Sequence, residues 1–160
     1  MKSILLTGGC GFIGSHTCVS LLKSKYNLIV IDSNINSSDL VINKIMKIGK
    51  LENIDFSNRL TFIKGDIRNI DLLNNIFLDS INKNLRIEAV IHFAGFKSVS
   101  ESCKDPLKYW DNNVLGSVTL FKTMIRFNCF NIVYSSSASV YGYNNKGLFR
   151  FGINISNIGP

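Results

Sequence analysis

The sequence predicts an α/β fold, an open doubly wound parallel sheet, and three observations carry that expectation. Five short apolar stretches rich in β-branched residues, Lys2 to Leu6, Leu28 to Ile31, Leu60 to Ile63, Ala89 to Ile91 and Ile132 to Tyr134, read as strands buried on both faces. Between them lie segments long enough for helices, starting near Phe12, Ser38, Asn69 and Pro106. A glycine cluster, Thr7-Gly8-Gly9-Cys10-Gly11-Phe12-Ile13-Gly14, joins the first strand to the first helix. Strand–helix alternation at these lengths implies parallel strands joined by right-handed crossovers, with helices on both sheet faces.

The segment from Pro106 is the clearest helix. Asp105 is a suitable N-cap and Pro106 fits the first helical position. Leu107, Trp110, Val114, Val118, Phe121 and Ile125 recur three or four residues apart, so that face is expected to be mostly core. The length of the helix leaves room for a second apolar side that could meet another subunit. From Tyr143 to Pro160 there are three glycines, several asparagines and no stable periodicity. The expected organisation is a folded unit over 1–142 and an irregular tail over 143–160.

Composition narrows the function classes. The chain has 160 residues, of which 46% are hydrophobic, too many for a disordered segment. No apolar run approaches the ~20 residues needed to cross a bilayer. Met1-Lys2-Ser3-Ile4-Leu5-Leu6 runs straight into glycines without a cleavage site, so it reads as a strand and not as a signal peptide. Cys10, Cys18, Cys103 and Cys129 show no C-x-x-C pairing or His partners; free thiols in a reducing cytoplasm are expected, and no metal site. Asn36-Ser37-Ser38 and Asn154-Ile155-Ser156 match the glycosylation pattern, which is short enough to occur by chance. The formal net charge of +7 comes from scattered basic residues without a recognition motif, so no nucleic-acid partner is expected.

Gly8, Gly11 and Gly14 carry the most chemistry. A dinucleotide needs glycine at such positions because a Cβ would block the tight turn, the pyrophosphate, or the packing of helix on strand. The following helix N-terminus offers unpaired N–H groups to phosphates. Asp32 ends the second strand, where an acidic residue takes the adenosine ribose hydroxyls and repels a 2′-phosphate. Ser33, Asn34 and Ile35 supply no arginine for such a phosphate, so NAD is favoured over NADP. Asp66-Ile67, after the third strand, reads either as an adenine contact or as a polar turn. Ala94 and Gly95, after the fourth, let a flat ligand lie on the backbone, and Lys97 could meet a phosphate or ribose. His92 reads as a structural residue at the strand's buried end. Ser135-Ser136-Ser137 ends the fifth strand, either as proton-handling hydroxyls or as an ordinary strand end.

Together these residues give a Rossmann-type sheet, and they resemble the extended short-chain dehydrogenase/reductase family, within it the UDP-glucose 4-epimerases (UDP-galactose 4-epimerases). The resemblance runs from Lys2 to about Gly142. It rests on the glycine motif with Ser15-His16-Thr17, Gly65-Asp66-Ile67-Arg68, the run His92 to Ser102, Tyr109-Trp110-Asp111-Asn112-Asn113-Val114, and Ser135-Ser136-Ser137-Ala138-Ser139-Val140-Tyr141-Gly142. It implies NAD as cofactor, with Phe12 and Ile13 along the pyrophosphate. Asp32, Ser33, Asn34, Ile35, Asn36 and Ser37 would surround the adenosine ribose, and Asp66 and Ile67 the adenine. Phe93, Ala94, Gly95, Phe96 and Lys97, with Asn112, would continue the groove. Ser137 would be the catalytic hydroxyl at the C4 oxygen of UDP-glucose or UDP-galactose, and Ser139 a substrate contact. The implied reaction belongs to galactose metabolism, passes through a 4-keto sugar and returns the hydride, a net isomerisation. A homodimer of the full-length enzyme is left open.

The chain departs from that family in two respects: after Gly142 it carries the apolar and basic Leu148-Phe149-Arg150-Phe151 where relatives usually carry acidic residues, and it lacks the catalytic pair. The family's base is a Tyr followed four positions later by Lys, and neither Tyr141 nor Tyr143 has such a partner. Asn157-Ile158-Gly159-Pro160 is similar to the stretch preceding that Tyr, so the sheet is expected to be incomplete at the C-terminal end and the substrate domain absent. The isolated chain is expected to be inactive. Rival readings are another extended-family enzyme, such as a nucleotide-sugar dehydratase, and a non-catalytic dinucleotide-binding module.

Overall fold

The computed structural model describes residues 2–137; the tail over 143–160 and Ser139 lie outside them. Five strands, β1 (Ser3–Thr7), β2 (Asn27–Asp32), β3 (Leu60–Lys64), β4 (Ile87–His92) and β5 (Asn131–Tyr134), form one sheet in the order β3-β2-β1-β4-β5. Every pairing is parallel. The expected doubly wound architecture is therefore present. Its strand order reverses between β1 and β4, and ligands bind such sheets beyond the carboxyl ends at that point.

Alternation along the strands explains how two faces are buried at once. Ile4 and Leu6 of β1 pack with Leu28 and Val30 of β2 under helices α1 (Phe12–Lys23) and α2 (Leu40–Leu51). Leu5 points the other way, with Ile31 and Val90, into the core beneath α3 (Ile70–Asn82) and a later helix, α6 (Gly116–Arg126). Asn69 caps α3 through a hydrogen bond from the Leu72 N–H (3.0 Å). Asn53, Asn84 and Asn128, just past the ends of α2, α3 and α6, take the left-handed conformation that more often falls to glycine.

Two features differ from the sequence expectation. A short helix not foreseen there, α4 (Val99–Lys104), follows the β4 loop. The segment from Pro106 is not one continuous helix. It runs as α5 (Pro106–Tyr109), a π segment (Trp110–Leu115) and then α6, with the cap at Asp105 present as expected (3.2 Å from the Lys108 N–H).

The face assigned to the core must be corrected. Leu107, Trp110, Val114, Val118, Phe121 and Ile125 are all exposed, from 37% at Phe121 to 78% at Leu107. The buried positions are Tyr109, Asn112, Gly116, Ser117, Leu120, Thr123 and Met124. The physical reason is close approach. A Cβ at Gly116 would come within 2.8 Å of Ile67 Cδ1, so Gly116 and Ser117 face inward at that contact and Leu120 and Met124 follow on the same side into the core. Among the described residues, no helix is long and apolar enough to cross a membrane.

Candidate functional site

The glycine turn is built by packing. Gly8 leaves β1 with φ +71°, and a Cβ there would lie 2.6 Å from the Ala94 nitrogen. In α1, a Cβ at Gly14 would lie 2.3 Å from the Gly8 carbonyl oxygen. Gly11 is less constrained, its nearest neighbour standing 3.3 Å away. Gly9, which the motif reading passed over, is also compelled, because a Cβ would reach 2.4 Å from Val30 Cγ1 in the core. Helix α1 then starts without a side-chain cap and without an acidic residue in its first turn. Its first N–H groups have no partners within the helix, which suits an anion.

Asp32 closes one end of the groove. Its Oδ2 accepts the Cys10 N–H (2.8 Å), while Oδ1 accepts the Asn34 N–H (2.9 Å) and the Ser37 hydroxyl (2.8 Å). A carboxylate has about four acceptor positions. One remains for a ligand hydroxyl, on the oxygen that only Cys10 engages. Burial, then the charge of Asp32, push the Cys10 thiol up to about 12, which keeps it neutral and unreactive.

Next to the groove residue Ile67, Arg68 reaches in two directions. Its Nε and Nη2 bond the Asp66 carboxylate (2.6 Å from Nη2 to Oδ2), and its Nη1 bonds Asp111 in the π segment. Hydrogen bonds from Arg68 hold the Asp66 carboxyl below its usual range, and those to Asp66 and Asp111 raise the Arg68 guanidinium.

Beneath the β4 loop runs a directed chain of hydrogen bonds. The Ser117 hydroxyl donates to the Asn113 carbonyl (2.5 Å), so its oxygen accepts from His92 Nε2–H (2.9 Å). His92 Nδ1 then accepts the Thr7 hydroxyl (2.6 Å), and Thr7 accepts the Ala94 N–H (3.3 Å). Burial lowers the His92 pKa to about 4, so the imidazole is neutral and structural. Asn113 also clasps both main-chain groups of Phe96, each at 2.8 Å.

These walls enclose an open groove of about 860 Å³ along the carboxyl ends of the strands. Gly8, Gly11, Phe12, Ile13 and Gly14 line it, as do Asp32, Ser33 and Asn36. So do Asp66, Ile67, every residue from Phe93 to Lys97, Asn112 and Ser137. Three of the expected residues that the structure describes stand outside its lining. Asn34 turns the chain at φ +55°, Ser37 braces Asp32, and Ile35 is 56% exposed. Ser98, Ser102 and Tyr109 line the groove as well, without having been singled out as site residues. The available signal was the Ser98 cap, a Ser with Glu101 three residues on. Among the described residues, no cluster of metal-ligating side chains is present.

A family model described as GDP-mannose 4,6 dehydratase matches residues 5–150. The chain belongs to that family. Within it, the chain is 48% identical over 142 residues to a UDP-glucose 4-epimerase of Neisseria meningitidis, covering 89% of this chain and 38% of that protein. Of known structures, it is similar to a UDP-glucose 4-epimerase from Stenotrophomonas maltophila with bound NAD and formylated UDP-arabinopyranose. The TM-score is 0.78 and the identity 36%, covering 91% of this chain and 40% of that one. The enzyme from Bifidobacterium longum, in complex with NAD+ and UDP, matches at TM-score 0.76 and 35% identity, over 88% of this chain and 38% of that one. The chain thus spans well under half the length of these similar proteins.

Proposed function

We propose that this chain is the NAD-binding portion of a UDP-glucose 4-epimerase, an isomerase interconverting UDP-glucose and UDP-galactose. The observation that carries the reading is the glycine cradle with Asp32 at its end. Side chains at Gly8 and Gly14 would collide with the Ala94 nitrogen and the Gly8 carbonyl, so only glycine closes the tight turn that brings the α1 N-terminus to the groove, and Asp32 keeps one acceptor position for a ribose hydroxyl. The names of the relatives, and the NAD held by two similar structures, support it.

In this reading the N–H groups of Phe12 and Ile13 hold the pyrophosphate, and Asp66 and Ile67 meet the adenine. The loop from Phe93 to Lys97, with Asn112, carries the cofactor's other half. Bound NAD would supply the hydride acceptor and donor for C4 of the sugar. Ser137 handles the proton of the C4 oxygen, and Ser139 contacts the sugar. The folded unit is 1–142, and four free thiols fit a reducing cytoplasm. Because no Tyr-x-x-x-Lys pair is present, the 160-residue chain binds NAD without epimerising UDP-glucose.

The test is the cofactor preference of Asp32→Asn, measured by calorimetry. Losing a hydrogen bond to a charged group costs about 1.5–3 kcal/mol, so NAD affinity should fall roughly ten- to a hundredfold while NADP gains on it. Unchanged NAD affinity, with the parent's preference retained, would sink the reading.

The family description favours a dehydratase as the second reading. Water elimination needs an acid after the fifth strand, and Ser137-Ala138-Ser139 offers none. The exposed stripe from Leu107 to Ile125 carries one more proposal, a homodimer of the complete enzyme. Sedimentation of that enzyme as a monomer would dismiss it.

A further inference from the structure

We infer that Arg68 is a positioning and specificity-determining residue, aiming the Asp66 carboxylate so that the groove selects a 6-aminopurine. This rests on the proposal that Asp66 and Ile67 meet the base of the dinucleotide. A carboxylate at a turn can rotate, and a rotating acceptor cannot discriminate. Asp66 is fixed from one side by three nitrogens of a single residue. The Arg68 main-chain N–H bonds Oδ1 at 2.8 Å, Nε bridges both oxygens at 3.0 and 3.1 Å, and Nη2 bonds Oδ2 at 2.6 Å. A planar fork matched to a carboxylate fixes orientation as well as charge, which an ammonium cannot do.

The fork is itself fixed. Its remaining arm, Nη1, bonds Asp111, the second residue of the π segment and the neighbour of the groove residue Asn112. The β3–α3 loop and the π segment are thereby joined beside the groove, and Ile67 is wedged against Gly116 just beyond. Three donors of Arg68, with Nε shared between the oxygens, leave the Asp66 carboxylate about one of its four acceptor positions, enough for a single ligand N–H. The Ile67 main-chain N–H is next in the chain. An acceptor followed by a donor is the complement of adenine's 6-amino donor and N1 acceptor. Hypoxanthine presents the reverse, a carbonyl acceptor and an N1–H donor.

The experiment compares NAD with nicotinamide hypoxanthine dinucleotide, both titrated by calorimetry into the 160-residue chain and into Arg68→Met. The parent chain should prefer NAD by at least tenfold, and Arg68→Met should narrow that ratio to about threefold or less. Arg68→Lys, which keeps the charge and loses the fork, should restore affinity for both ligands more than it restores the ratio. Should Arg68→Met fail to fold, Arg68→Lys and Asp111→Asn carry the same comparison. A ratio untouched by substitution overturns the inference and leaves the adenine reading standing. So does an equal fall in both affinities, because Arg68 would then only hold the fold. A parent chain that binds NAD without preferring it overturns the placing of the base at Asp66, and the inference with it.

Discussion

His92 shows what a single residue reveals when its surroundings are traced. Both ring nitrogens are engaged, and the direction of the chain from Ser117 to Thr7 fixes the tautomer with its proton on Nε2. A charged imidazole would have to break that direction inside a buried site. The folded-state pKa, about 4, lies below the ordinary 6.5, so between those values the unfolded chain binds a proton that the native chain refuses. Stability should therefore be full above about pH 6.5 and fall as the pH drops toward 4, by an amount on the order of 3 kcal/mol. The carboxyls of Asp55 and Asp66, both held low, act only below their ordinary value of 3.8, outside that window. Urea unfolding at pH 7, 5.5 and 4.5 measures the slope, and His92→Gln should flatten it. Equal slopes in the two proteins would show that another group carries the effect. The sequence supplied His92's position at the end of an apolar strand, and hence its burial. It could not supply Thr7 and Ser117, which lie 85 and 25 positions away and meet the imidazole only through the fold.

At the scale of the element, strands and helices differ in how far periodicity carries. The strands were legible because each is short and β-branched. The burial on both faces expected of all five holds for the central β1, β2 and β4 more than for the outer β3 and β5, which are partly or largely exposed. The segment from Pro106 was legible as helix but not in its facing. It carries apolar residues on two sides, and the six-residue π segment alters the repeat before α6 begins. What decides the inner side is the close contact at Gly116, a property of the partner element that no spacing encodes. The correction is testable with two variants. Leu120, fully buried, should cost about 2–5 kcal/mol as Leu120→Ala. Ile125, 64% exposed, should change stability by about 0.5 kcal/mol or less as Ile125→Lys. Thermal unfolding of both distinguishes the faces. A larger loss at Ile125 than at Leu120 would restore the facing first expected from sequence.

At the scale of the molecule, the same topology that creates the groove leaves an edge. Reversal of strand order between β1 and β4 opens the carboxyl ends for a ligand, and the glycine cradle, Asp32 and the β4 loop all converge there. That convergence was readable because each group follows a strand end in sequence. The Arg68 bridge was not, since Asp66 and Asp111 lie far apart in the chain and are brought to one guanidinium only by the fold. Among the described residues the sheet ends at β5, a four-residue strand whose Val133 is 61% exposed, with Phe130 and Tyr134 exposed beside it. An apolar strand edge with unpaired N–H and C=O groups is a template for another chain. The 160-residue polypeptide should therefore self-associate at micromolar concentration, independently of NAD. A charge on the edge opposes such pairing, so Val133→Lys should shift the chain toward monomer in light scattering while leaving NAD affinity within about twofold. The stripe from Leu107 to Ile125 is a competing source of association, and Ile125→Lys separates the two. If Ile125→Lys disperses the chain and Val133→Lys does not, association runs through the helix face, and β5 is protected by means other than its own sequence.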